Sequence, residues 1–429
     1  MVTLPPDHAE RRLLADEVHA RPPQALDTPG RATYVAVLVD AEDRAREHAH
    51  LGLLCKGFAV EPPQPGATHF SADLGALRLK WERHGEFSGY TVFANGLSPK
   101  PFSEPPAALL PAGWLAAVPG RTMAAAHAKW MAWGDALPDA ALLAAHFDGN
   151  IIVGAAIGDG AGLAYTDYRI HEDGCARILL FNRSFTPRQC GRMLQRLFEI
   201  EAYRTLALLA LPIARRQAAR IAVIEKSLAA LTDDIAGGGS DDEALLQSLT
   251  RLAAEVESGL AVSQFRFGAC RAYFELVSTR IAELREVRLA GIQTIEEFMA
   301  RRFTPAVATC NGTSLRMHQL SERVAQASAL LSTRVNIARE RQNQALLAAM
   351  DRRAKLQLRL QQTVEGLSVA AIVYYGAGLV GYLGKGLKAG GLAIDTDLLV
   401  GVAVPVVALA ALWAVRRARR RIGKAEANL

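Results

Sequence analysis

The chain lacks most of the marks that name a chemistry or a secreted fold. Its five cysteines, Cys55, Cys175, Cys190, Cys270 and Cys310, are scattered and odd in number, with no CxxC pair. That pattern argues against both a disulfide framework and a zinc site, and fits a reducing compartment. The opening MVTLPPDHAERRLLADEV is charged throughout and has no apolar run, so no secretory leader is expected and the body should stay in the cytosol. A Walker loop, a GxSxG elbow and an HExxH pair are all missing. The glycines from Gly154 to Gly162 lack phosphate-cradling order and read as loop glycines of a hairpin. A strong charge of one sign is also absent: the formal net charge is +6 over 429 residues. Six basic residues crowd between Arg416 and Lys424, so the excess belongs to a tail and no nucleic-acid-binding body is expected.

Long uncharged runs, by contrast, are present, and they lie after residue 365. Gly366 to Gly384 (GLSVAAIVYYGAGLVGYLG) and Leu398 to Val415 (LLVGVAVPVVALAALWAV) hold no charge. Each approaches the roughly 20 residues that cross a hydrocarbon core. Gly376, Gly378, Gly381 and Pro405 would weaken a soluble helix, whereas membrane spans tolerate them. Tyr382 and Trp413 sit near span ends, where amphipathic rings suit the interface. Arg352, Arg353, Lys355 and Arg359 precede the first span, and the basic cluster follows the second. The intervening Lys385 and Lys388 are offset by Asp395 and Asp397. The positive-inside rule then expects a multi-pass protein of the bacterial inner membrane, with both termini cytoplasmic and the lipid bilayer as its partner.

The middle of the chain carries helix-start signals. Thr186-Pro187-Arg188-Gln189 is a capping box with proline at the first helical position, and Ser240-Asp241-Asp242-Glu243 is another. Pro212 should kink the first helix, and Thr294 with Glu297 should cap a short one after Gly291. Thr304-Pro305 opens a helix that nothing stops before the first span. Those 80 residues, Pro305 to Gly384, would reach about 120 Å at roughly 1.5 Å per residue. Such a helix needs a packing partner, either the preceding hairpin or copies of itself. Asn336, Asn343, Met350 and Gln357 recur at intervals of seven and are candidates for a seam or a pore lining; a solvated helix face is the blander reading.

Residues 1 to 184 read as a mixed α/β unit. Strands are expected at 32–39, 68–82, 87–94, 150–157, 162–170 and 176–182, and helices at 41–54, 106–117 and 139–147. Short polar connections suggest antiparallel hairpins, while the alanine-rich run Arg121 to Trp133 is ambiguous. Two places concentrate reactive groups. A strand through 81–87 would put Glu82, His84 and Glu86 on one face, able to hold a divalent cation or to form a salt-linked surface. Near Pro22 and Pro23, His19 and Arg21 could bind an anion or cap a helix. No residues point to a particular cofactor or to a catalytic set.

The segments LADEVHARPPQAL (14–26), WERHGEFSGYTVF (81–93), TPRQCGRMLQRLFEIEAYRTLALLALPIAR (186–215) and MDRRAKLQLRLQQTVEGLSVAAIVYYGAGLVGYL (350–383) resemble a bacterial family of uncharacterised, membrane-anchored proteins. The resemblance runs through nearly the whole chain and implies a shared fold and a membrane address, with no reaction assigned. The layout also resembles the CorA-type two-span metal-ion channels, which are homopentamers. Their Gly-Met-Asn signature is missing; Gly381-Tyr382-Leu383-Gly384-Lys385-Gly386 stands there instead. Lysine rings at a pore mouth would oppose cations.

The expected fold is therefore α+β, with an N-terminal domain (1–184), a helical hairpin region (185–303), a stalk helix (304–365), a transmembrane hairpin (366–415) and a basic tail (416–429). The expected function is that of a non-enzymatic, homo-oligomeric membrane protein, pentameric if the layout holds, with ion transport as one activity. The alternative is a membrane-anchored enzyme or ligand sensor using the N-terminal domain.

Overall fold

A computed structural model describes residues 5–12, 14–15, 22–238, 241–391 and 395–426. The chain divides into two compact units, Met1–Ala329 and Leu330–Leu429.

The first unit is built on one eight-stranded sheet. Its strands are β1 (Gly30–Leu38), β2 (His69–Asp73), β3 (Arg78–Arg83), β4 (Phe87–Asn95), β5 (Arg121–Ala132), β6 (Val153–Ile157), β7 (Gly162–Thr166) and β8 (Ala176–Asn182). They run in the order β2-β3-β4-β1-β5-β8-β7-β6. Every neighbouring pair is antiparallel except β5 with β8, which is parallel. The expected run 68–82 is two strands, because the turn through Gly75 interrupts it with a positive φ of 85°. The ambiguous run 121–133 is β5, the longest strand and a central one. Alanine's own preference is for helix, and pairing on both sides overrides it there. The stretch 106–117 is two single 3₁₀ turns, Pro106–Leu109 and Leu115–Ala117, where a helix was expected.

Alternation along the strands sends side chains to two faces. One face carries Val35, Val37, Leu79, Trp81, Tyr90 and Val92. Helix α1 (Arg44–Gly57) covers it through Leu51 and Leu54, with Trp114 alongside. Further along the same face, α2 (Ala140–Phe147) buries Leu143 and Phe147 with Leu163, Tyr165, Leu179 and Phe181. Helix α3 (Pro187–Leu208) lies on the opposite face, its Phe198 stacked on Tyr34 of β1 at 4.9 Å. The Thr186–Gln189 capping box forms as expected, and Pro187 occupies the first turn. Gly191 is needed here, since a Cβ would stand 1.7 Å from the Gln24 carbonyl oxygen.

A break at Leu209 separates α3 from α4 (Ala210–Gly237), one turn before Pro212, which lacks the N–H that would continue the ladder. Helix α5 (Asp242–Leu284) begins at Asp241, whose side chain accepts from Glu243 N; Ser240 lies outside the described residues. After it, Ala156 of β6 pairs with Val287 and Val153 with Gln293, so this segment covers the sheet's outer edge. The Thr294–Glu297 capping box starts α6 (Ile295–Arg302). Helix α7 (Thr304–Ala389) follows, and its first turns bury Val307, Cys310, Met317 and Leu320. Gly259 of α5 admits Met317 and Gln217 side by side.

The second unit contains the rest of α7 and α8 (Thr396–Glu426). These two helices contain stretches long and apolar enough to cross a membrane. Lys385 and Lys388, expected in the connecting loop, belong to α7, Lys388 in its last turn, and α8 extends through the basic segment to Glu426. Asp395 caps α8 by accepting from Asp397 N at 3.0 Å. The two helices approach through notches: a Cβ on Gly376 would meet Val407 at 2.8 Å, and one on Gly384 would meet Leu399 at 3.0 Å. Small residues at such crossings let apolar helices pack without a polar seam.

Candidate functional site

The three residues expected on one strand face do not share it. β3 ends at Arg83, and His84 and Glu86 belong to the turn into β4. Glu86 is held by Arg266 of α5. His84 lies flat on Phe87, with ring centroids 4.3 Å apart. Glu82 and His84 do line one crevice, between the sheet and α3, together with Lys80, Tyr34 and Glu199. Lys80 Nζ donates to Glu82 Oε1 at 2.9 Å and to Gln195 Oε1 at 3.1 Å. Gln195 Nε2 donates to Glu199 Oε1 at 2.8 Å, and Glu199 in turn pairs with Arg280. Arg280 and Arg196 both bind Glu283, at 3.0 and 2.9 Å. Burial, with the nearby Tyr203 and acidic groups adding, pushes the Tyr34 phenol well above its ordinary pKa. The crevice has a cavity volume of about 30 Å³, room on the order of one or two waters. Its chemistry is that of a buried ionic strut joining sheet, α3 and α5.

His19 and Arg21 lie outside the described residues. Asn336, Asn343, Met350 and Gln357 all lie on α7, exposed to solvent, in the second unit.

A second polar constellation, which no sequence spacing announced, gathers on the α2 side of the sheet. β5 and β8 run in parallel register with His127 opposite Arg177. The turn before β8 is closed by Gly174 N donating to the His171 carbonyl at 2.9 Å and His171 N to the Cys175 carbonyl at 3.0 Å. It carries Asp173 and Cys175 up to His127, and one ligand atom from each lies within 4.8 Å of the others. His127 Nε2 is 3.8 Å from Asp173 Oδ2, and its Nδ1 is 3.0 Å from Thr33 Oγ1. Next to it, Lys129 Nζ reaches His146 Nε2 at 3.2 Å, while His146 Nδ1 bonds the Leu142 carbonyl at 2.7 Å. That carbonyl can only accept, so Nδ1 carries the proton and Nε2 receives one from Lys129. Arg177 Nη1 binds Asp148 Oδ2 at 2.9 Å. His171 bridges Asp148 and Asp167 at 3.0 and 2.8 Å.

Burial sets the titration of this group. It lowers the His127 pKa, with Arg177 adding and Asp173 opposing. It lowers His146 and Lys129 as well. The Cys175 thiol is pushed up to about 12 by burial and by Asp173. His127 lay in the run whose strand character was ambiguous, 46 residues before Asp173. Only the parallel pairing of β5 and β8 brings them together.

An eight-stranded α+β body, followed by two helices long and apolar enough to span a bilayer, defines the class of protein. The chain belongs to a family of proteins of unknown function, DUF3422, whose profile matches residues 6–422. No curated protein matches it. Among solved structures it is similar to the full-length CmaX protein at 14% identity, over 68% of this chain and 89% of that one. The TM-score is 0.20, which carries no argument about either fold or function. The comparisons lend the CorA-type resemblance no support.

Proposed function

We propose that the protein is an oligomeric integral membrane protein. In this reading the apolar ends of α7 and α8 form a two-span hairpin, both termini are cytosolic, and the α+β body stands on the cytosolic side. The observation that supports it most is the bareness of α7. Every described residue from 336 to 364 is exposed within the single chain, including Leu346, Leu347, Met350, Leu356, Leu360 and Val364. A helix with that much uncovered apolar surface is stable when neighbouring helices cover it. Asn336, Asn343, Met350 and Gln357 fall on one line along it, the position from which polar residues set register between copies. The glycine notches against Val407 and Leu399 support the hairpin itself.

Ion transport by a pentamer is the narrower form of this reading and rests on the order of elements alone. A ligand sensor is the second reading, supported by the polar cluster around His127. Single cysteines at Asn343 and Met350, oxidised in native membranes, test the oligomer. The expected result is a disulfide-linked dimer at either position, with the mass of the detergent-solubilised complex giving the subunit number. Monomer alone at both positions, with a single-copy mass in detergent, would overturn the proposal.

A further inference from the structure

We propose that His127, Asp173 and Cys175 form a binding site for a zinc-class divalent cation, with a fourth position open to water. Imidazole, thiolate and carboxylate together are the donor set such an ion takes. Bond lengths of about 2.0 to 2.3 Å place tetrahedral ligand atoms roughly 3.3 to 3.6 Å apart. His127 Nε2 and Asp173 Oδ2 stand at 3.8 Å, too far for a good hydrogen bond and close to the spacing an ion would impose. A ring nitrogen of His127, a carboxylate oxygen of Asp173 and Cys175 Sγ form a triangle with no edge above 4.8 Å. Closing its longest edge to that spacing takes up to about 1.3 Å.

The surroundings position the donors. Thr33 Oγ1 accepts from Ala107 N at 3.3 Å and has a second lone pair for a proton on His127 Nδ1. The tautomer with its proton on Nδ1, held by Thr33, is the one an ion on Nε2 would select, the outer-sphere arrangement that metal-bound histidines usually have. Asp173 Oδ1 accepts from Cys175 N at 3.0 Å, which fixes the turn and leaves Oδ2 available. The nearest fixed positive charge, Arg177, is engaged by Asp148. Asp173 is exposed while His127 and Cys175 are buried, so an ion has an entry path on one side and fixed ligands on the other. On binding, Cys175 releases its proton to solvent and the thiolate becomes a ligand.

Full-length protein in detergent, stripped by a chelator, would be titrated with Co²⁺ and read by the near-ultraviolet thiolate-to-cobalt band. The expected result is saturation at one equivalent, displacement by Zn²⁺, and loss of the band in Cys175→Ser. Asp173→Asn, which keeps the turn's hydrogen bond, should weaken Co²⁺ affinity at least about tenfold. Absence of a band, or a band that survives Cys175→Ser, would overturn the site; survival would place the ion at another thiol such as Cys270 or Cys310. Unchanged affinity in Asp173→Asn would overturn it equally, and decides the matter if Cys175→Ser does not fold.

Discussion

At the scale of residues, the body depends on charges placed where water does not reach. Glu47 on α1 is almost completely buried and accepts from Trp81 Nε1 at 3.0 Å, Tyr90 OH at 2.7 Å and Arg44 at 3.2 Å. Glu47→Ala removes the common acceptor and leaves the Trp81 and Tyr90 donors unpaired in an apolar core, with Arg44 keeping Ser88. Breaking such a network is expected to cost about 3 to 5 kcal/mol, read as a fall in the midpoint of chemical unfolding. The buried histidines carry a pH signature. The pKa values of His127 and His146 are lowered in the fold, so the unfolded chain binds protons more readily. Their contribution to stability is present above the ordinary histidine pKa and fades as pH falls from that value through the lowered one. Thermal unfolding should therefore shift to lower temperature between pH 7 and pH 5, and His146→Gln should flatten that slope. An identical slope in the variant would remove His146 from the account.

At the scale of elements, legibility in the sequence tracked how local the deciding force is. The capping boxes at Thr186 and Thr294 close within four residues, and both form as the sequence implied. Strand β1 was equally readable, because its apolar pattern is continuous. β5 was not, since alanine's own preference is for helix and the strand's neighbours in the sheet lie at 30–38 and 176–182. The His127 cluster shares that fate: its members meet only through a strand whose existence and parallel partner are both settled by tertiary pairing. Glu82, His84 and Glu86 failed in the opposite way, as a local pattern that a turn cut in two. In the membrane hairpin the glycines are the specific element. Gly376→Leu would drive a side chain into Val407, where even a Cβ stands at 2.8 Å. The expected outcome is a hairpin that opens to proteolysis between the spans in detergent, with the α+β body's circular dichroism unchanged.

At the scale of the whole molecule, the chain holds two units of different character, one with its own sheet and core and one of helices that leave apolar side chains bare. The first should stand without the second. A chain ending at Arg334, past Leu331, keeps every residue of α7 that is buried before the apolar stretch. It is expected to appear in the soluble fraction and to unfold cooperatively, as sedimentation and a thermal melt would show. Partition of that fragment into membranes would mean that the body carries its own lipid contact.

The outer edge of the sheet has a further consequence for how the protein is made. β6 is complete once Ile157 has been synthesised, yet Val287 and Gln293, which seal it, are far downstream. On the ribosome that strand waits for about 130 residues with an open row of hydrogen-bonding groups, the condition under which nascent chains pair wrongly. Chaperone dependence during synthesis should therefore concentrate in that interval and end when residues near 293 emerge from the exit tunnel.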